Sequence, residues 1–213
     1  MNSIVSEKRY IQERLGIPFE NLSQSYLRAE TLLTNLSQYQ FLLQRGQVAQ
    51  PIVTERLLQL NDQFVVTHFT LGLKLIAANV VATETAHLTA SVDTFANPNI
   101  YTGNATNAAA LFNSSFSWTI DRKQYLPAFP IRAFLRVPTT QATASPMQVY
   151  TDGYDNGLYG FYPSEPTLID GRQTLDLIAD LGAAVTIGSN NQTENRVWGV
   201  LEVRGYLVVN AKS

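Results

Sequence analysis

Apolar residues recur at every second position in five stretches of this chain, and that period of two constrains the fold more than any other feature. From Val65 to Leu75 the odd positions read Val65, Thr67, Phe69, Leu71, Leu73, Leu75, almost all apolar, while the even positions are mixed. The same period returns at Phe116/Trp118/Ile120, Ile131/Ala133/Leu135/Val137, Leu175/Leu177/Ala179/Leu181 and Val197/Gly199/Leu201/Val203. Successive side chains leave a strand on opposite faces, so each stretch reads as a half-buried β-strand. The outward positions are mostly Ser, Thr, Asn and Gln.

Around these strands the chain is punctuated by turn formers. Residues 3–15 read as a helix: Ile4, Val5, Ile11 and Leu15 share one side of a 3.6-residue wheel, and Gly16 with Pro18 marks its end. Strands are expected at 26–34 and 38–44, joined as a hairpin through Asn35-Leu36-Ser37, and at 64–76 and 80–92. A turn-rich loop at 97–104 precedes an Ala-rich helical turn at 105–111. Further strands are expected at 115–121, 131–137 and 147–151. Asp170-Gly171-Arg172 reads as the turn of a second hairpin between 167–169 and 173–181, and the last strand, 196–209, as bent or bulged at Gly205. Nine or ten strands without alternating helices exclude a parallel α/β sheet and predict an antiparallel β-sandwich of jelly-roll type with a short N-terminal helix. The domain reading is a helix or arm over 1–20 and a single sandwich over 21–213.

Composition points away from catalysis. Charged residues make up 15% of the chain, against about a quarter in ordinary soluble domains. Isolated monomers keep charged surfaces for solubility; amide and hydroxyl groups in place of charge suit a surface that meets other protein. Fifteen basic and seventeen acidic residues leave a net charge of −2, so the chain has no electrostatic footprint for nucleic acid. There is no cysteine, which removes disulfide and thiolate chemistry. No apolar run reaches the roughly 18 residues of a membrane helix. Met1 to Lys8 lacks the basic-then-apolar layout of a signal peptide, so residence in a cytoplasm until release is expected.

The two histidines, His68 and His87, have no partner at metal-ligand spacing and read as satisfied or solvent-facing strand residues. Asp152, Asp155 and Asn156 resemble calcium ligands, but turn chemistry accounts for each of them. Glu165, Asp170, Asp176, Asp180 and Glu202 could in principle supply a glycosidase pair, yet Asp170 belongs to a turn and Asp176 and Asp180 to a strand's outer face. No nucleophile elbow or phosphate loop occurs. No catalytic residue, cofactor or metal is therefore expected. The aromatic cluster around Tyr154, Tyr159 and Tyr162 stacks on sugar rings, seals a subunit interface, or covers the end of the sandwich; all three readings fit. Asn-x-Ser/Thr triplets at Asn21, Asn35, Asn104, Asn113 and Asn191 are expected by chance in so Asn-, Ser- and Thr-rich a chain.

Tyr26-Leu27-Arg28, the stretch Glu55-Arg56-Leu57-Leu58-Gln59-Leu60-Asn61-Asp62-Gln63-Phe64-Val65-Val66-Thr67, Tyr162-Pro163-Ser164-Glu165-Pro166-Thr167 and the closing Val203-Arg204-Gly205-Tyr206-Leu207-Val208-Val209-Asn210 resemble bacteriophage virion proteins with a jelly-roll core. The resemblance is one of class and contains no diagnostic motif. It implies a capsid or capsid-associated subunit, assembled in the host cytoplasm and placed in the virion. Such a subunit acts through homo-oligomeric and other virion contacts, without cofactor; this chain departs from the class in lacking a basic interior arm, so no direct contact to nucleic acid is expected. The alternative is a carbohydrate-binding adhesin or receptor-binding module using the Tyr154–Tyr162 region. The interface residues expected are Ile4, Ile11, Leu15, Tyr154, Tyr159 and Tyr162. A helix this short is marginal alone in water, so its apolar face is expected to pack on a neighbouring subunit more than on its own domain.

Overall fold

The computed structural model describes residues 3–97, 100–101, 105–135, 163, 165–188 and 194–209. Helix α1 (Ser3–Leu15) is followed by strands β1 (Leu22–Leu33), β2 (Asn35–Gln40) and β3 (Gln63–Ile76). Two helical turns follow, α2 (Ala86–Thr89) and α3 (Ala105–Ala108), and then β4 (Ser115–Ile120), β5 (Lys123–Pro130), β6 (Thr167–Asp170), β7 (Leu175–Thr186) and β8 (Arg196–Val208). The strands form two antiparallel four-stranded sheets, β1-β8-β3-β6 and β2-β7-β4-β5, packed as a sandwich. First strand pairs with last throughout: β1 with β8, β2 with β7, β3 with β6, β4 with β5. Rolling that doubled chain adds the β3–β8 and β4–β7 ladders.

The core lies between the sheets, where Leu27, Ala29 and Leu33 of β1 meet Phe116, Trp118 and Ile120 of β4 and Leu175, Leu177 and Ala179 of β7. Edge-on rings lock it: Phe69 and Trp118 are 4.9 Å apart at 72°. Two of the passages between sheets, β1 to β2 and β6 to β7, are fastened by a buried polar side chain. At the first, the Tyr39 hydroxyl accepts the backbone N–H groups of Thr34 (3.2 Å) and Leu36 (3.1 Å), fixing the corner where β1 becomes β2. At the second, Gln44 Nε2 donates to the carbonyls of Gly171 (2.9 Å) and Gln173. Both devices satisfy backbone groups that a sheet corner leaves without a ladder partner.

Several sequence expectations are corrected by this topology. Neither expected hairpin exists: β1 and β2, and likewise β6 and β7, lie in different sheets. Residues 80–92 are turns and α2 rather than a strand, with Val81, Leu88 and Val92 exposed. Ile131–Phe134 is a 3₁₀ turn whose Ile131 and Phe134 face the core. The true strand there is β5, an edge strand carrying Pro127 and Pro130, which only an edge tolerates. Its hairpin with β4 turns at Asp121 (φ 47°) and Arg122 (φ 69°), both left-handed without a glycine to announce them. Eight strands are present among the described residues, not nine or ten. The strand expected at 147–151 lies outside the described residues.

In β3 the strict odd-position face fails at a bulge. Val66 pairs with Gly205 and His68 with Arg204, so Thr67 is the extra residue. Phe64 and Val66 point to the core before it, and Phe69, Leu71 and Leu73 after it, while Val65 and His68 face outward. The irregularity expected at Gly205 is therefore carried by the strand opposite. A Cβ at Gly205 would lie 1.8 Å from the Val65 carbonyl oxygen, so only glycine fits against the bulged strand.

Helix α1 docks on the outer face of the β1-β8-β3-β6 sheet. Ile11 is fully buried against Leu22, Val65, Tyr206 and Val208, with Leu15 and Ile17 partly buried beside them. Glu7 accepts the Tyr206 hydroxyl at 2.7 Å, and Lys8 donates to the Leu22 carbonyl. Gly16, with φ +68°, ends the helix by donating its N–H to the Gln12 carbonyl (2.9 Å), as its position in the sequence indicates.

Candidate functional site

The outward face of the sheet β1-β8-β3-β6 carries an unusual density of charge for a chain with so little of it. Strand alternation places Gln24, Tyr26, Arg28 and Glu30 outward on β1, because Leu27, Ala29 and Leu33 point into the core. Register then sets three-residue rows across the sheet: Gln24–Tyr206–Val65, Tyr26–Arg204–His68, Arg28–Glu202–Thr70 and Glu30–Val200–Gly72. Helix α1 covers Tyr206 and Val65 of the first row and leaves Gln24 exposed. The segment around Val92 and Asp93 covers the last, held by paired backbone hydrogen bonds between Leu73 and Asp93 (2.7 Å each). Gly72 makes that approach possible, since a Cβ there would meet Val92 Cγ1 at 2.6 Å.

Under the second cover lies a closed ionic cluster. Glu30 receives Lys74 Nζ on one carboxylate oxygen, and Arg28 Nη2 (2.7 Å) and Thr54 Oγ1 (2.5 Å) on the other. The side chains of Glu30, Lys74 and His87 are all fully shielded from solvent. Burial pushes the Glu30 carboxyl up, but the hydrogen bonds from Lys74 and Thr54 and the nearby cations outweigh it and hold the group below the ordinary range. Glu55 accepts the backbone N–H groups of Glu30 and Ile52 (2.8 Å each), and burial raises its pKa. His87 Nδ1 sits 3.2 Å from Lys74 Nζ; burial and that ammonium lower its pKa, so it is neutral and acts as acceptor. Its Nε2 and the Trp198 Nε1 are buried without a hydrogen-bond partner among the described residues, and the two rings meet edge to face at 5.7 Å. This cluster ties β1, β3, the 52–55 turn and α2 together.

Between the two covers the sheet is open. A groove of about 600 Å³ is lined by Gln24, Tyr26, Thr67, His68, Glu202 and Arg204, with Ile4 and Glu7 of α1 on its wall. A smaller pocket of about 160 Å³ at Thr70, Gly72, Val92 and Thr94 shares Glu202 and Arg204 with it. Glu202 is met by Arg28 and Arg204, each at 3.4 Å. Burial and the adjacent Arg204 cation lower the His68 pKa to about 4, so its imidazole is neutral near pH 7. The arrangement holds donors, acceptors and one exposed ring side by side, which suits binding.

The sequence-derived site residues fall unevenly on this geometry. Ile11 is buried in its own chain, Leu15 is half-buried beside it, and Ile4 is 43% exposed on the groove wall. Tyr154, Tyr159 and Tyr162 lie outside the described residues, as do Asp152, Asp155 and Asn156. The possible hydrolase carboxylates are dispersed: Asp176 and Asp180 bind Gln40 (2.9 Å) and Gln38 (2.8 Å) on the opposite sheet, and Asp170 caps the 170–173 turn. Glu202 alone belongs to the groove. The residues that sequence reading passes over are Tyr26, Arg28, Glu30, Lys74 and Arg204. Their signal was the alternation of charge along 24–30 and 202–204, legible only once those two segments are known to be neighbours.

Among the described residues no group of His, Cys, Asp or Glu is placed to hold a metal ion, and no helix is long and apolar enough to cross a membrane. No family model, curated protein or solved structure matches the chain.

Proposed function

We propose that this chain is a bacteriophage virion structural subunit of jelly-roll type, forming or decorating a capsid shell through repeated symmetric contacts. The observation that carries the reading is the pairing of first strand with last across two sheets, the wrapping that a jelly roll requires. It supports the reading together with a surface poor in charge and with large apolar residues left exposed at Leu36, Leu60, Val81 and Leu88. Contacts with copies of itself and with other virion proteins remove such residues from water. The near balance of acidic and basic residues supports a role without direct genome contact.

Light scattering and negative-stain electron microscopy on the purified protein at rising concentration test this proposal. Closed assemblies of one defined size are the expected result. A monomer at every concentration, together with absence from purified virus particles, overturns it.

A further inference from the structure

We infer that the groove on the outer face of the β1-β8-β3-β6 sheet is a binding site for an acidic oligosaccharide, with Tyr26 as the stacking platform and Arg204 as the carboxylate anchor. Three features of the groove lead to this ligand class. The first is its floor. Tyr26, Arg204 and His68 form one row and Arg28, Glu202 and Thr70 the next, so an aromatic ring, a guanidinium, a neutral imidazole and a carboxylate lie within neighbouring strand positions. A sugar presents an apolar ring face flanked by hydroxyls, and it needs that mixture of ring, donor and acceptor.

The second feature is the state of Tyr26 itself. The ring is 40% exposed although it stands on a sheet face otherwise covered at both ends. Arg56 lies 4.9 Å from its centroid, which orients the ring and leaves the rest of its surface to the groove. An exposed aromatic held in place loses little freedom on binding.

The third is the local charge. The groove has two carboxylates, and both are engaged: Glu7 on the wall accepts the Tyr206 hydroxyl, and the guanidinium groups of Arg28 and Arg204 converge on Glu202 of the floor. Glu30 is spent on Lys74, Thr54 and Arg28 in the closed cluster. The Arg204 side chain is 39% exposed, and its ion pair with Glu202 is long at 3.4 Å. A guanidinium carries five donors in a fixed fork suited to a carboxylate, so Arg204 retains donors for a ligand acid. Arg56 at the rim adds a further positive charge. Gln24, Thr67 and Glu202 then face the hydroxyls. From Glu202 to Tyr206 the lining of the groove runs two strand repeats along β8, about 13 Å, which is the length of a short oligosaccharide rather than a single ring.

Titration calorimetry with a hexameric oligogalacturonate, and with cellohexaose as its neutral counterpart, tests the inference on the intact protein. The expected result is a Kd for the acidic sugar tighter than about 1 mM, weakened at least tenfold by Arg204→Gln and by Tyr26→Ala. Tyr125→Ala, an exposed ring on the other sheet, is expected to leave binding unchanged. Thermal unfolding of each variant checks its fold, and Arg204→Lys, which keeps the charge but not the fork, stands in should Arg204→Gln fail to fold. The inference is overturned by absence of binding to the acidic sugar, by equal binding of cellohexaose, or by full affinity in the Arg204 and Tyr26 variants.

Discussion

Glu30 on β1 and Lys74 on β3 form an ion pair across the intervening strand β8, with both side chains wholly removed from water. Desolvating two charges is costly, and their attraction repays it only when every remaining donor and acceptor is also served. Here Thr54, Arg28 and His87 do that service. The pair thus pins the 52–55 turn and the α2 segment onto the sheet.

Removing one partner should therefore be severe. Lys74→Ala is expected to lower unfolding free energy by about 3–5 kcal/mol, because it strands a buried carboxylate. The double replacement Glu30→Gln/Lys74→Met should cost less than that single change. Urea denaturation of the three proteins at neutral pH checks both statements; a double variant weaker than Lys74→Ala would contradict them.

Acid should destabilise the fold through His68. Its ordinary value is 6.5, and burial with the Arg204 cation lowers it to about 4 in the folded chain. Between those values the unfolded chain binds a proton that the folded chain refuses. Stability is then fully present above about pH 6.5 and falls as pH drops toward 4, by up to about 1.4 kcal/mol per pH unit. Unfolding measured across that window should show a shallower slope for His68→Gln than for the native chain.

Two glycines offer a sharp contrast. Gly205→Ala drives a Cβ into the Val65 carbonyl and is expected to cost about 3–5 kcal/mol. Gly46→Ala meets nothing within 4 Å and should stay within about 0.5 kcal/mol of the native stability. Thermal or urea unfolding distinguishes them directly.

Helix α1 yields a test of its own docking. Ile11→Ala is expected to cost about 2–4 kcal/mol, since it empties a closed apolar site against Val65 and Tyr206. Ile4→Ala, at a 43% exposed position, should change stability by less than about 0.5 kcal/mol. Deleting residues 1–16 uncovers Val65, Tyr206 and Val208 and should lower the melting temperature while far-UV dichroism remains that of a β-protein. Equal melting of the truncated and full chains would mean that the helix contributes nothing to its own domain.

Period-two patterning, the Gly16 stop and the long strand at 196–208 were legible in the sequence because each rests on local geometry: a strand alternates, a helix repeats at 3.6, and a left-handed residue after a helix favours glycine. Those local rules determined a mainly β chain with one N-terminal helix. They could not determine which strands pair. Asn35-Leu36-Ser37 and Asp170-Gly171-Arg172 read locally as hairpin turns, yet the chain passes there from one sheet to the other, because β1 and β6 take partners distant in sequence, β8 and β3. The bulge at Thr67 is equally invisible locally, since it exists only against Gly205 of a strand nearly 140 residues away. Tyr26, Arg204 and Glu202 share its origin. Each is an ordinary outward residue in its own segment, and tertiary pairing alone sets them in adjacent rows, where separation in space falls to about 5 Å and their charges and ring act together.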